Sequence, residues 1–167
     1  MKKICCLNGS GSTDGSNFKF LKALTSTFNH KFDFHIFNDL SKFPLFTPTQ
    51  LPNNYVEEFR AKLTECEAVI ICTPEYSHNI PAVLKNALEW ITASGELNEK
   101  PILPITFTPH SPRGEHAMKS LLPTLQALNS RVVLELQLYQ NEQSFKAGKL
   151  ILSEVSFGVI SQALDWL

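Results

Sequence analysis

The sequence predicts an α/β protein in which a five-stranded parallel sheet lies between two layers of helices. Short apolar runs typical of buried strands alternate along the chain with longer segments of helical spacing. No internal repeat or low-complexity segment interrupts this alternation. Strands that alternate with helices form parallel sheets covered on both faces, as in doubly wound folds. The 167 residues suffice for one such domain, 1–167, and are too few for two ordinary ones.

Two of the five strands show the clearest patterns. The predicted strands are 2–7, 32–37, 68–72, 101–107 and 131–139. The third, AVIIC, is apolar throughout, as expected of a strand that is buried on both faces. The second, FDFHIF, alternates polar and apolar residues, which is typical of a strand with one exposed face at the edge of a sheet.

Helices are predicted between these strands. Their predicted ranges are 17–28, 55–64, 81–91, 116–129 and 157–167, the third of them ending in a turn through Gly95. Pro81 stands at a favourable first helical position, whereas Pro123 should kink the fourth helix or mark its true start. The segment 38–54 contains three prolines and is predicted to be a long connection that packs down in places.

Composition excludes several classes of function. Fifteen basic and sixteen acidic residues give a formal charge of -1, so neither nucleic acid nor an anionic membrane is an expected partner. The apolar runs are far shorter than the ~20 residues that span a bilayer, and the N-terminus lacks a secretory hydrophobic region, so we expect a cytoplasmic protein. The four cysteines lack the C-x-x-C spacing of zinc or redox sites, and Cys5, Cys6 and Cys72, in predicted buried strands, are expected to be small core hydrophobes. No metal site is predicted.

The loop after the first strand, residues 9–17, is rich in glycine and hydroxyl groups and leads into a helix. Backbone N–H groups and hydroxyls at a helix N-terminus bind phosphate well. The loop has neither the lysine of a P-loop nor the full G-x-G-x-x-G spacing. An alternative interpretation is a simple turn in which Ser16 or Asn17 caps the helix.

Two further loops, 73–80 and 108–115, should emerge at the same edge of the sheet, where open α/β sheets bind ligands. The first lies between Pro74 and Pro81 and is expected to form a rigid ledge for a flat ligand with polar edges. Glu75 could be a general acid or base, but a role in shaping the loop or an interface is favoured. His78 and His110 could tune a proton transfer or could be ordinary surface histidines.

The first two loops resemble those of the NADPH-dependent FMN reductase family, which includes related quinone, azo-dye and chromate reductases. The family has a first loop of the form G-S-x-R-x-x-S-x-N and a later motif T-P-E-Y-N-x-S-x-P-x-x-L-K-N-A-x-D-W. In this chain the later motif is TPEYSHNIP at 73–81, followed by LKNA at 84–87 and EW at 89–90. The order of elements and the proline-rich segment 43–52 are also similar, so the resemblance covers nearly the whole chain.

The resemblance implies a flavodoxin-like sheet of order 2-1-3-4-5 that holds FMN non-covalently. The residues it assigns to the phosphate are Ser10, Ser12, Ser16 and Asn17. Those it assigns to the flavin ring are Pro74, Glu75, Tyr76 and Ser77, with Thr108, His110 and Ser111 completing the pocket. It further implies NADPH or NADH as electron donor, a small-molecule acceptor, a homodimer or homotetramer, and no acid–base catalytic side chain. Alternatives are a flavodoxin-type electron carrier and a flavin-binding protein without NAD(P)H turnover.

The chain departs from the family pattern at several loop positions. Ser12 stands where the family has arginine, and Gly15 where it has serine. Ser77 and Asn79 replace an asparagine and a serine and keep both positions polar. Arg113 stands where a glycine is usual, and it could supply a cation for a phosphate.

Overall fold

The computed structural model describes residues 1–167, and its strands and helices alternate as the sequence predicts. The strands are β1 (Lys2–Asn8), β2 (Phe32–Phe37), β3 (Ala68–Thr73), β4 (Pro101–Thr108), β5 (Arg131–Val132), β6 (Leu136–Tyr139), β7 (Ser144–Lys146) and β8 (Lys149–Ile151). The helices are α1 (Ser16–Phe28), α2 (Asn54–Glu65), α3 (Ala82–Glu89), α4 (Glu115–Ala127) and α5 (Glu154–Asp165). Short 3-10 turns lie at Leu40–Lys42 and Gln140–Glu142.

The main sheet is parallel throughout. Its order is β2-β1-β3-β4, with β5 and β6 both on the outer side of β4, so the predicted order 2-1-3-4-5 is confirmed. Every residue of β3 is buried, as its apolar run predicts. β2 lies at the sheet edge, and most of its residues are partly exposed, as the alternation predicts.

The fifth strand is not continuous, so its predicted range of 131–139 is wrong. It is split into β5 and β6, and three residues of this strand (133–135) lie opposite two of β4, Leu103 and Pro104. The carbonyl of Ile102 accepts from Val133 N at 2.9 Å, which shows that Ile102 faces the fifth strand. Because alternate residues of a strand bond to the same side, Pro104 faces the same way and has no N–H to contribute. The ladder breaks where that donor is missing.

Two apolar cores cover the two faces of the sheet. On one face, α2, α3 and α4 contribute side chains such as Phe59, Leu84 and Leu121 to one cluster of buried residues. On the other face, α1 and α5 contribute Phe20 and Ile160 to a second cluster. This is the predicted arrangement of a sheet between two helical layers, and it leaves the ends of the strands for the loops.

Three further expectations need correction. Pro81 is the N-cap of α3, which begins at Ala82, so its predicted place as the first helical residue is wrong. α4 runs through Pro123, so the alternative that this proline marks its start is wrong. α5 begins at Glu154 rather than at residue 157, because the Ser153 side chain accepts a hydrogen bond from Ser156 N and caps it. The hairpin of β7 and β8 was not predicted.

No helix combines the length and apolar character that a membrane crossing requires.

Candidate functional site

The three loops singled out in the sequence follow β1, β3 and β4, which are neighbours in the sheet. They therefore meet at the carboxyl edge. The chain leaves β1 for β2 on one side and returns to β3 on the other, so the first two loops flank the point where the strand order reverses. Such crevices are where open α/β sheets take their ligands.

Two asparagines hold the first loop. Asn8, buried at the end of β1, donates from Nδ2 to Ser12 O at 2.9 Å and to Asn38 Oδ1 at 2.8 Å. Its Oδ1 accepts from Ser10 N at 3.3 Å. Asn38 donates in turn to Thr13 O at 3.0 Å. The loop backbone is thereby fixed from inside, which leaves its outer surface for a ligand.

The first loop ends in free donors at the start of α1. Gly15 occupies the N-cap position, and no side chain caps the helix, so the interpretation of Ser16 or Asn17 as a cap is wrong. The backbone N–H groups of Ser16, Asn17 and Phe18 have no acceptor within the chain. Unpaired N–H groups and the helix dipole together favour an anion at this position.

The side chains near these donors point in different directions. The Asn17 amide is buried and donates to Phe107 O and to Cys72 Sγ, each at 3.3 Å, so it faces the sheet rather than the loop. The Ser16 hydroxyl is partly exposed and accepts from Gln140 Nε2 at 2.9 Å. Of these two predicted residues, only Ser16 presents its side chain at the surface of the loop.

The second loop is built around a tight turn. Tyr76 and Asn79 exchange backbone hydrogen bonds of 3.0 and 2.9 Å, and the two residues between them, Ser77 and His78, have φ values of 49° and 59°. Positive φ at both central positions is the type I′ geometry of two-residue hairpins. Non-glycine residues in this region store strain of the order of 1 kcal/mol each and concentrate at functional sites. The turn leaves the Tyr76 side chain 53% exposed.

Glu75 joins the second loop to the N-terminus of α4. Its Oε2 accepts hydrogen bonds from the backbone N–H groups of Gly114, His116 and Ala117 at 3.0, 3.0 and 3.1 Å. Burial of the side chain opposes its ionisation, but these donors outweigh that effect and hold the pKa of Glu75 below its ordinary value. A carboxylate bound in this way shapes the site, which is the role that the sequence favours over general acid or base.

Two other contacts fasten the same turn to α4. The rings of His78 and His116 meet edge to face, with their centroids 4.5 Å apart. Asn79 Oδ1 accepts a hydrogen bond from the Ser120 hydroxyl. His78 Nδ1 also lies 3.6 Å from the second oxygen of Glu75.

The third loop is closed on itself. Thr108 Oγ1 donates to Arg113 O at 2.8 Å, and Arg113 N donates to His110 O at 3.1 Å. His110 Nδ1 lies 2.9 Å from Ser111 O. The loop ends at Gly114, whose φ is 106°. These bonds fix the path of the backbone while the side chains of His110 and Arg113 remain exposed.

The floor beneath Gly114 is crowded. A Cβ at this position would lie 2.7 Å from Thr106 Oγ1 and 3.0 Å from Thr106 Cβ, so the close approach of loop and strand requires glycine. Thr106 Oγ1 is itself buried and has no hydrogen-bond partner.

A cavity of about 400 Å³ opens between the second and third loops. It is lined by Glu75, Ser77, His78, His110 and Arg113. Three of these were predicted as cofactor contacts: Glu75, Ser77 and His110. Pro74 and Thr108 are buried beside it, and Ser111 is exposed on the third loop. The predicted residues Ser10, Ser12 and Ser16 lie on the first loop at the same sheet edge.

Several residues that organise this edge were not predicted. They are Asn8, Asn38, His116 and Gln140. Asn8 ends β1, and Asn38 directly follows β2, the adjacent strand, a signal visible in the sequence once the strand order is assumed. No local pattern indicates His116 or Gln140, because their partners lie 38 and 124 residues away.

The fold and this edge together define a doubly wound α/β domain with unpaired N–H donors at the first loop and a cavity between the second and third loops. A family model described as NADPH-dependent FMN reductase matches residues 2–144. The chain therefore belongs to that family.

Individual relatives agree with this assignment. The NADH-dependent flavin reductase subunit 2 of Lactobacillus johnsonii is 40% identical over 60 residues, which cover 36% of this chain and 33% of the relative. The NADH:(hydroxy)cinnamate reductase subunit CrdA of Vibrio ruber is 36% identical over 98 residues, or 57% of this chain and 48% of the relative. The matched part of the chain thus spans half or less of the length of these relatives.

Solved structures share the whole fold. FerB, a flavoenzyme NAD(P)H:(acceptor) oxidoreductase from Paracoccus denitrificans, superposes with a TM-score of 0.84 at 22% identity and covers 99% of this chain and 97% of its own. A flavodoxin from the domain Archaea superposes with a TM-score of 0.64 at 13% identity, covering 99% and 96% of the two chains. The predicted flavodoxin-like fold is confirmed.

Proposed function

We propose that the protein is an FMN-dependent NAD(P)H oxidoreductase that passes electrons to a small acceptor such as a quinone, an azo compound, free flavin or a metal oxyanion. The observation that carries this proposal is the presence at one sheet edge of free N–H donors suited to a phosphate and a cavity suited to a flat ring. Family membership supports the same cofactor and donor. FMN, when bound, supplies a carrier that takes a hydride from NAD(P)H and gives electrons to the acceptor.

The first loop would hold the phosphate. The backbone N–H groups of 16–18 would donate to it, helped by the hydroxyls of Ser12 and Ser16, which reach the outer surface of the loop. Ser10 is nearly buried, and its Oγ accepts from Ser12 N at 3.1 Å, so its part is to brace the loop. Asn17 would contribute its N–H group, because its amide is engaged with the sheet.

The second and third loops would hold the ring. The backbone from Pro74 to Ser77 would line one face, with the exposed Tyr76 ring beside it, and Thr108, His110 and Ser111 would close the other side. The tight turn and the closed third loop would position donor and acceptor without rearrangement, which would lower the entropic cost of reaction. The part of Glu75 would be structural, since its Oε2 accepts three N–H groups.

An absorbance spectrum of the purified protein, recorded without oxygen before and after NADPH or NADH is added, tests the function. Flavin bands that bleach support the proposal. Absence of flavin bands after FMN is supplied refutes it. Bands that persist with both donors refute NAD(P)H turnover by this chain and favour the second candidate below.

The phosphate assignment is tested by Ser12→Ala combined with Ser16→Ala. A hydrogen bond to a charged group contributes about 1.5–3 kcal/mol, so the double variant should bind FMN at least tenfold more weakly. Ser26→Ala, an exposed serine in the last turns of the same helix, is the matched control and should bind as the parent does. Equal affinity of the double variant and the parent would show that the phosphate lies elsewhere.

A second candidate is a flavin-binding electron-transfer subunit that needs another polypeptide to accept electrons from NAD(P)H. Two relatives of this chain are named as subunits, and the regions that match it span half or less of their length. This candidate predicts bound FMN that NAD(P)H does not bleach, and that a chemical reductant does.

We also propose that the chain acts as a homodimer or homotetramer in the cytoplasm, where NAD(P)H is available. Leu45, Leu51 and Tyr76 are 76%, 84% and 53% exposed, and burial of such large side chains would favour association. Sedimentation of the FMN-loaded protein measures the assembly. A monomer at micromolar concentration would refute it.

A further inference from the structure

Arg113 is the one lining residue of the cavity that carries a permanent positive charge. Its backbone is fixed by the bonds to His110 and Thr108 within the third loop. Its guanidinium forms no hydrogen bond and no ion pair with any residue of the chain. A fixed backbone with an uncommitted guanidinium at a cavity wall suits an anionic group inside the cavity.

The carboxylate of Glu75 lines the same cavity but does not neutralise Arg113. Its Oε2 accepts three N–H groups at the start of α4, where the helix dipole compensates its charge. Its closest ion-pair partner is His78, whose Nδ1 lies 3.6 Å from Oε1. The remaining lining residues, Ser77 and His110, carry no negative charge at neutral pH. The unpaired guanidinium of Arg113 therefore favours the more negative of two states of a group held beside it.

We propose that Arg113 raises the reduction potential of the bound FMN by stabilising the charge that its ring gains on reduction. This inference rests on the proposed function. Hydride transfer breaks a C–H bond of the dihydronicotinamide and delivers two electrons and one proton to the ring, so the nucleotide becomes NAD(P)⁺ and the ring gains one negative charge. The guanidinium exchanges no proton in this step. Its charge acts on the reduced ring and leaves the neutral oxidised ring almost unaffected.

The test is the midpoint potential of bound FMN, measured by equilibrium reduction against a reference dye. Because Arg113 is exposed, solvent screens its charge, and we expect its interaction with the reduced ring to be as weak as that of an exposed ion pair. In Arg113→Gln the ratio of the dissociation constants of reduced and oxidised FMN should rise about threefold to fivefold, which for a two-electron couple corresponds to a potential lower by about 15–20 mV. Arg113→Lys should keep most of the parent potential.

Arg131→Gln is the matched control. Arg131 is exposed at the amino end of β5, the opposite end of the sheet from the cavity, and its loss changes the net charge equally. Its potential should equal that of the parent. A binding titration with oxidised FMN adds a second measurement, in which Arg113→Gln should agree with the parent within about threefold, since the oxidised ring is neutral.

The possible outcomes distinguish a failure of the Arg113 proposal from a failure of the proposed function. A parent that binds no FMN refutes both. A parent that binds FMN while Arg113→Gln keeps the parent potential refutes the role of Arg113 alone. Equal shifts in Arg113→Gln and Arg131→Gln show an effect of net charge and also refute it.

Discussion

Replacement of Glu75 tests the contact that joins the second loop to the third. Glu75→Gln keeps the size of the side chain and one oxygen acceptor but removes the charge that faces the N-terminus of α4. Charge–dipole interactions in partly buried positions are worth up to about 2 kcal/mol, and hydrogen bonds to charged groups exceed neutral ones by about 1 kcal/mol. We therefore expect Glu75→Gln to lower the free energy of unfolding at pH 7 by about 1–2 kcal/mol. Glu75→Ala, which leaves three N–H groups without their acceptor, should cost about 2–4 kcal/mol.

The pH dependence of this loss gives a second, independent signature. The pKa of Glu75 in the folded protein lies below its ordinary value of 4.5, so the carboxylate stabilises the fold fully above that value. The contribution is lost as the pH falls through the lowered pKa, because the protonated group no longer favours the folded state. The difference between the parent and Glu75→Gln should therefore be constant from pH 6 to 8 and should shrink below pH 4.5.

Urea unfolding across this pH range provides the assay. Glu89→Gln is the matched control, because Glu89 is an exposed helical carboxylate that pairs with Lys85 at 2.6 Å. Exposed pairs of this kind contribute less than about 1 kcal/mol. If Glu75→Gln loses no more than Glu89→Gln at pH 7, or if its deficit persists unchanged to pH 3, the account of Glu75 as the cap of α4 is refuted.

Two stability predictions concern the floor below the third loop and use the same unfolding assay. Gly114→Ala should lose about 2–4 kcal/mol, since it combines an unfavourable φ with a Cβ 2.7 Å from Thr106 Oγ1. The control is Gly95→Ala, at a φ of 78° with no neighbour within 4 Å. This control should lose only about 1 kcal/mol of unfolding free energy. Equal losses in the two variants would show that the contact with Thr106 costs nothing. Thr106→Val removes a buried hydroxyl that has no partner and should be neutral or stabilising by about 1 kcal/mol. A loss of more than 1 kcal/mol would mean that the hydroxyl has a partner in solution.

The main elements could be predicted because each rests on local pattern. The apolar run of β3 and the spacing of α1 indicate their structure within a few consecutive residues, and alternation alone indicates a parallel sheet. The second loop was also visible locally, since its prolines and aromatic residue stand close together in the sequence. For these segments, local preference and tertiary packing agree.

The break in the fifth strand could not be predicted, because its cause lies in another strand. The RVVLELQLY segment has the composition of one continuous strand. Its ladder fails because Pro104 of β4 faces it without an N–H group, and which way Pro104 faces depends on the register of β4. The same limit applies to Glu75, whose donors lie 39 to 42 residues further along the chain.

The strained turn of the second loop is held in place by contacts with α4 rather than by its own sequence. Ser77 and His78 occupy left-handed conformations at a cost, and the residues on either side, Glu75 and Asn79, each bond to α4. The same helix begins at Gly114, where the third loop ends, so both walls of the cavity are anchored to one element. That arrangement supports the proposal that the site holds a flat group and its reaction partner at a constant separation, with the chemistry left to the group itself.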